Sequence, residues 1–166
     1  EVVLADLDDR PDATERQVRA LSTLKLSRPV GSACAYSNLN YNILGLIIEA
    51  VSGESYAAYV EDHVFGPLDM RHSYTSKALA VQDGLATGHR HWLGRPVPSP
   101  DLPVPRGCLP SGQLISCAED MVRGARAAMP GQGRLTITGH SLGGGISQIV
   151  SARMGIPAVA ISAPSA

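Results

Sequence analysis

Ser141 stands in Gly139-His140-Ser141-Leu142-Gly143, a G-x-S-x-G pentad followed by Gly144 and Gly145. The pattern suits a nucleophile held on a sharp strand-to-helix turn. There a hydroxyl projects clear of a sheet, and the flanking glycines let the backbone fold back. The N–H of Leu142 would face the oxyanion formed when that hydroxyl attacks a carbonyl, and the first turn of the helix adds its positive end. The chemistry would be acyl transfer through a covalent acyl-serine. Its partners are missing from the expected order, because no Asp, Glu or His follows Ser141. They lie beyond residue 166, or one of His63, His72, His89 and His91 substitutes, or the site is incomplete. His140 adjoins the serine, and on so sharp a turn its side chain should point elsewhere. A serine without a base is a poor nucleophile at neutral pH.

A turn of this kind needs a strand before it and a helix after it. Leu135-Thr136-Ile137-Thr138 reads as a buried strand, residues 139–145 as a turn, and residues 146–154 as a helix. Gly155-Ile156-Pro157 ends that helix, and Ala158-Val159-Ala160-Ile161 is a second strand. The whole is a βαβ unit whose strands should be parallel. Upstream the texture is helical. Asp12-Ala-Thr-Glu15 resembles a capping box, and Val18, Leu21 and Leu24 continue a helix over residues 13–25. Leu39, Ile43, Leu46, Ile47 and Ala50 give a one-faced helix closed by Gly53. A shorter helix over 55–64 stops before Gly66-Pro67. Glycines and prolines interleave through residues 84–114, which read as a long loop or short strands around turns, not as helix. Ser116-Cys-Ala-Glu119 is a second capping box, with a helix starting near Cys117. The fold class is therefore mixed α/β: a helical part over residues 1–123, then a βαβ nucleophile-turn unit over 124–166.

Composition narrows the partners. The 166 residues are 44% hydrophobic with a net charge of −1, enough for one compact domain or two small ones. No basic stripe suggests nucleic acid. The longest apolar run, residues 43–51, is broken by Glu49. It is short of the roughly 20 apolar residues that span a bilayer. No positively charged, then apolar, N-terminal signal segment is visible. Cys34, Cys108 and Cys117 are odd in number and fit no metal or redox spacing, so buried free thiols are expected. His89 and His91 would share one face of a strand and could ligate a metal. With no third ligand at a usual spacing, a surface loop is the expectation. Asp6, Asp8 and Asp9 lack the glycine and distal glutamate of a calcium loop and read as a solvated segment. Tyr56, Tyr59 and Phe65 read as helix packing. No metal and no organic cofactor is called for.

Two resemblances follow from these motifs. Residues 125–166, through "LTITGHSLGGGISQIVSARMGIPAVAISAPSA", resemble the lipases of the α/β-hydrolase superfamily, most closely the class 3 group. The resemblance implies that Ser141 attacks a carboxylic ester, that Leu142 supplies an oxyanion-hole N–H, and that the substrate is a small-molecule or lipid ester. Residues 15–123 resemble a different group, the serine β-lactamase and penicillin-binding superfamily in its class C and family VIII esterase branch. That likeness rests on Tyr36-Ser37-Asn38 with the helix after it, on "GLATGHRHWLGRPVP" and on "PRGCLPSGQLISCAEDM". It implies that Tyr36 relays a proton and that Asn38 helps orient the substrate. It also implies an S-x-x-K helix, whose letters Ser22-Thr-Leu-Lys25 satisfy. That tetrad ends only eleven residues before Tyr36, where the family has an ordinary helix, and it is set aside. No K-T-G or H-x-G follows Met121.

The chain thus reads as chimera-like, two partial serine hydrolases joined near residue 124. Three functions stay open: an ester hydrolase using Ser141, a β-lactamase-like hydrolase using Tyr36 and Asn38, and a catalytically silent binding or truncated module. On the bland reading Tyr36 simply caps or packs.

Overall fold

The coordinates are a computed structural model that describes residues 10–161 except 11, 24, 35, 101–104, 130, 132 and 141. Asp6, Asp8, Asp9, Leu24 and Ser141 lie outside the described residues. Packing divides the chain into two units, residues 1–64 with 73–115, and residues 65–72 with 116–166.

In the first unit α1 spans Ala13–Ala20 and tightens into a 3-10 turn at Leu21–Thr23, so the helix expected over 13–25 ends early. The capping box does not form: Asp12 makes no side-chain cap bond. Glu15 instead accepts from Arg19 Nε at 2.7 Å, one turn along the helix. Helix α2 is Leu39–Ser52, and Gly53 closes it at φ 77°. That left-handed conformation costs glycine nothing and most other residues about 1–2 kcal/mol.

The buried stripe of α2 differs from the apolar face read in the sequence. Asn42 and Gly45 are buried, while Ile47 is 51% exposed. Two contacts explain this. Asn42 Nδ2 donates to Gln17 Oε1 at 2.5 Å, tying α2 to α1. A Cβ at residue 45 would overlap the ring of Pro110, so only glycine lets that proline close on the helix. Pro110 sits in the first turn of α5, Leu109–Gly112, after a 3-10 turn at Arg106–Cys108. Residues 84–114 are therefore not wholly without helix. Proline is tolerated in a first turn, where its missing N–H has no acceptor to lose.

Helix α3, Tyr56–Val60, is capped by Ser55 Oγ and continues as a π turn over Glu61–Phe65. Helix α4, Lys77–Gln82, has no counterpart in the sequence reading. Strands β1, His89–Trp92, and β2, Arg95–Pro98, pair antiparallel with His89 opposite Pro98. Leu93 and Gly94 join them, both at positive φ, 49° and 75°. Two positive φ values are what a two-residue hairpin demands.

In the second unit α6, Ala118–Ala128, runs without a break through residues 123–124. Its cap is Cys117, whose Sγ accepts from Asp120 N at 3.4 Å, rather than the Ser116 hydroxyl expected from the sequence. Strand β3 is Ile137–His140, α7 is Leu142–Met154 and β4 is Ala158–Ile161. The strands are parallel, with Ile137 opposite Ala158 and His140 opposite Ile161, as the βαβ reading requires. The helix starts earlier than expected and takes in Gly143–Gly145. Gly144, Ser147 and Val150 form its buried stripe, and close packing there offsets the poor helix propensity of glycine. Val122, Val150 and Ile156 make the core, with Ala118, Leu135, Ile137 and Met154 packed around them.

The free cysteines are not buried as expected. Cys34 is exposed, and Cys108 and Cys117 are half-buried. Cys34 lies in a stretch whose described residues, 25–34, are all exposed. No single described helix is long and apolar enough to cross a membrane. The adjoining pair Leu39–Ser52 and Tyr56–Phe65 is bent by 85°.

Candidate active site

The G-x-S-x-G segment is described on both sides of its serine. Strand β3 ends at His140 and α7 begins at Leu142. A Cβ at residue 139 would overlap the carbonyl of Gly143. The first glycine of the pentad is thus fixed by the approach of the backbone four residues on. Leu142 opens the helix, where the first N–H groups have no acceptor within it.

Tyr36 and Asn38 come together at the head of α2. Ser37 O accepts from Asn40 N at 3.2 Å, and Asn38 O from Tyr41 N at 3.0 Å, which turns the chain into the helix. Asn38 is already helical at φ −59°, and its side chain makes no capping bond. Tyr36 is 84% exposed. Its phenol is therefore not packed, which removes the bland packing role. The tyrosine and asparagine belong to the first unit and the serine turn to the second.

The other candidates resolve as follows. Ser22 sits in a 3-10 turn, and its Oγ donates to Arg19 O at 2.8 Å, so the hydroxyl proton is engaged by the backbone. Lys25 is exposed and follows the turn. His89 and His91 lie on β1 rather than in a loop, both exposed, and no group of three metal-ligating side chains forms among the described residues. His63 Nε2 is 3.3 Å from Glu54 Oε2 and its ring is 4.4 Å from that of Tyr59, an imidazole with a carboxylate beside it. His72 donates its backbone N–H to Asp120 Oδ2 at 2.6 Å.

Asp120 is fully buried and also accepts from Arg123 Nη1 at 3.0 Å. That ties α6 to residues 65–72, an arrangement for which the sequence carried no signal beyond the supposed capping box. The hydrogen bond from Arg71 holds the Asp69 carboxyl below its ordinary value. Glu119 is held low first by its own backbone N–H and then by Arg153. Burial pushes the Tyr56 phenol up.

Comparison with known proteins places the chain. The family model described as beta-lactamase matches residues 3–157. It runs through residue 124 without a break, so the lipase likeness of residues 125–166 rests on their own motif alone. Penicillin-binding protein 4 of Amycolatopsis lactamdurans is 33% identical over 118 residues, 69% of this chain and 31% of that protein. Protein flp of Staphylococcus aureus (strain MW2) is 44% identical over 104 residues, 62% of this chain and 20% of that protein. The octameric penicillin-binding protein homologue from Pyrococcus abyssi superposes with a TM-score of 0.57 at 32% identity, over 70% of this chain and 27% of its own. The chain thus spans a third or less of the length of these relatives. With a match over nearly its whole length, it belongs to the beta-lactamase family, whose members are serine hydrolases.

Proposed function

We propose that the chain is part of a serine acyl hydrolase in which the Tyr36 phenol passes a proton to the leaving group and Asn38 holds the acyl substrate. The observation that carries this is the exposure of Tyr36, 84%, at the head of a helix whose flanking sequence belongs to this family. In such a reaction a serine oxygen attacks the carbonyl and the C–O or C–N bond to the leaving group breaks. The departing oxygen or nitrogen takes up a proton, and water then releases the acyl group. The Tyr36 oxygen takes the proton that the serine hydroxyl loses and, within hydrogen-bond reach of the departing atom, passes it on there. Carboxylic esters and β-lactam amides both pass through this tetrahedral step, and the ester is the bond proposed here. Ser22 is not the attacking serine of this reading, because the backbone already engages its proton. The test is hydrolysis of p-nitrophenyl butyrate and a chromogenic cephalosporin by wild type and Tyr36→Phe, both in a protein that carries this chain together with the attacking serine. Loss of a positioned proton donor should lower kcat/KM by about 10²–10⁴-fold. An unchanged rate would remove Tyr36 from the chemistry.

A second reading makes Ser141 the nucleophile of a lipase-type ester hydrolase, with the Leu142 N–H as oxyanion donor and the division at 123/124 as the border between the two likenesses. Its support is the strand β3 and helix α7 that flank the serine and the tight approach at Gly139. Its base would come from His63, His72, His89 or His91. Fluorophosphonate labelling mapped to Ser141, and ester hydrolysis abolished by Ser141→Ala, would favour it over the Tyr36 reading. Equal ester rates in wild type, Tyr36→Phe and Ser141→Ala would leave a silent module.

A further inference from the structure

The second unit holds a cavity of about 480 Å³ that neither reading uses. It lies beside the segments that lead into β3 and β4, at the end of β3 opposite Ser141. Four strand residues, roughly 13 Å, separate the two ends. Met129, Leu135, Ile156 and Pro157 supply apolar wall, and Arg126 and Arg134 supply two guanidiniums. No Asp or Glu lines it among the described residues.

Both arginines are exposed and, like Arg28, Arg90 and Arg95, pair with no carboxylate among the described residues. Arg19, Arg71, Arg123 and Arg153 each pair with a carboxylate. Among the described residues Arg126 and Arg134 make no side-chain hydrogen bond or ion pair. Arg126 is in the last turn of α6, where a cation offsets the carbonyl end of the helix. Arg134 is in no helix, so that explanation does not extend to it. Two cations without a counter-ion over an apolar wall fit a ligand with an anionic head and an apolar body. A guanidinium binds carboxylate or phosphate oxygens through two parallel N–H donors. The volume is in the range of small-molecule sites.

We propose that this cavity binds an amphipathic anion, its carboxylate or phosphate-monoester head held by Arg126 and Arg134 and a short alkyl or aryl body against Met129, Leu135 and Ile156. The proposal does not depend on either hydrolase reading. Titration calorimetry on the 166-residue chain would test it with octanoate, octyl phosphate, octanol and inorganic phosphate, each below any micelle-forming concentration. The expected result is saturable one-to-one binding of octanoate or octyl phosphate, with octanol and inorganic phosphate at least tenfold weaker. Binding of octanoate alone would assign a carboxylate head, and of octyl phosphate alone a phosphate head. R126Q/R134Q should weaken the anion at least tenfold. So should M129E, which places a carboxylate at an exposed wall position where it disturbs no core. Circular dichroism would establish that both variants are folded. Octanol or inorganic phosphate binding as tightly as the anionic amphiphile, an unchanged Kd in both variants, or no heat with any probe would overturn it.

Discussion

At the scale of single residues, three positions carry consequences that their types alone do not announce. Gly45 is one. Because its missing Cβ is filled by the Pro110 ring, Gly45→Ala should destabilise the first unit by about 1–3 kcal/mol through overpacking. Denaturant unfolding would measure it, and no change would mean that α5 stands off from α2. Asp120 is the second. Asp120→Ala removes the acceptor of the His72 backbone N–H and one of two acceptors of the Arg123 guanidinium, and should cost about 1–3 kcal/mol. Asp120→Asn keeps an acceptor for His72 and should cost less. Tyr36 is the third. Its ring is 84% exposed rather than packed, and the Tyr36→Phe comparison decides whether it takes part in the chemistry.

At the scale of elements, the hairpin and the βαβ unit were legible to different degrees. The parallel strands around α7 followed from short β-branched runs on either side of a helical segment, and they pair as that pattern requires. The start of α7 was not legible, because three glycines read as a turn. They are helical in α7, with Gly144 on its buried stripe. The buried face of α2 was misread for a related reason. Period alone favoured the isoleucines, but a side-chain hydrogen bond from Asn42 and a proline close to Gly45 set the orientation. Both capping boxes matched in letters and failed in geometry. Tyr36, Asn38 and Ser141 are proposed from motifs, while no motif marks the arginine-rimmed cavity. Its wall comes from segments between elements, where no periodic pattern marks a face. The hairpin supplies an element-scale prediction. Leu93 holds φ 49°, which a leucine adopts at a cost of roughly 1–2 kcal/mol. Leu93→Gly should raise the thermal midpoint, and a lowered midpoint would mean that the leucine side chain holds the turn.

At the scale of the whole molecule, the chain is near neutral and its ion pairs sit mostly at the surface. Asp69 and Glu119 both have carboxyls held below their ordinary values, by Arg71 and by the Glu119 backbone N–H respectively. A carboxyl depressed in the folded state contributes stability above its unfolded pKa and loses it as pH falls through the folded one. Stability should therefore be level near neutrality and decline below about pH 4, the ordinary carboxylate range. Asp69→Asn should flatten part of that decline. Because both groups are solvent-exposed, added salt should shrink the effect. A stability curve that rises on acidification would contradict this.

The central claim is that the exposed phenol at the head of α2 takes part in acyl transfer. Comparing kcat/KM of wild type and Tyr36→Phe on p-nitrophenyl butyrate, both in a protein that carries this chain together with the attacking serine, tests it most directly, with circular dichroism to confirm an unchanged fold. The account predicts a loss of about 10²–10⁴-fold. Equal rates, or a loss seen only in Ser141→Ala, would contradict it.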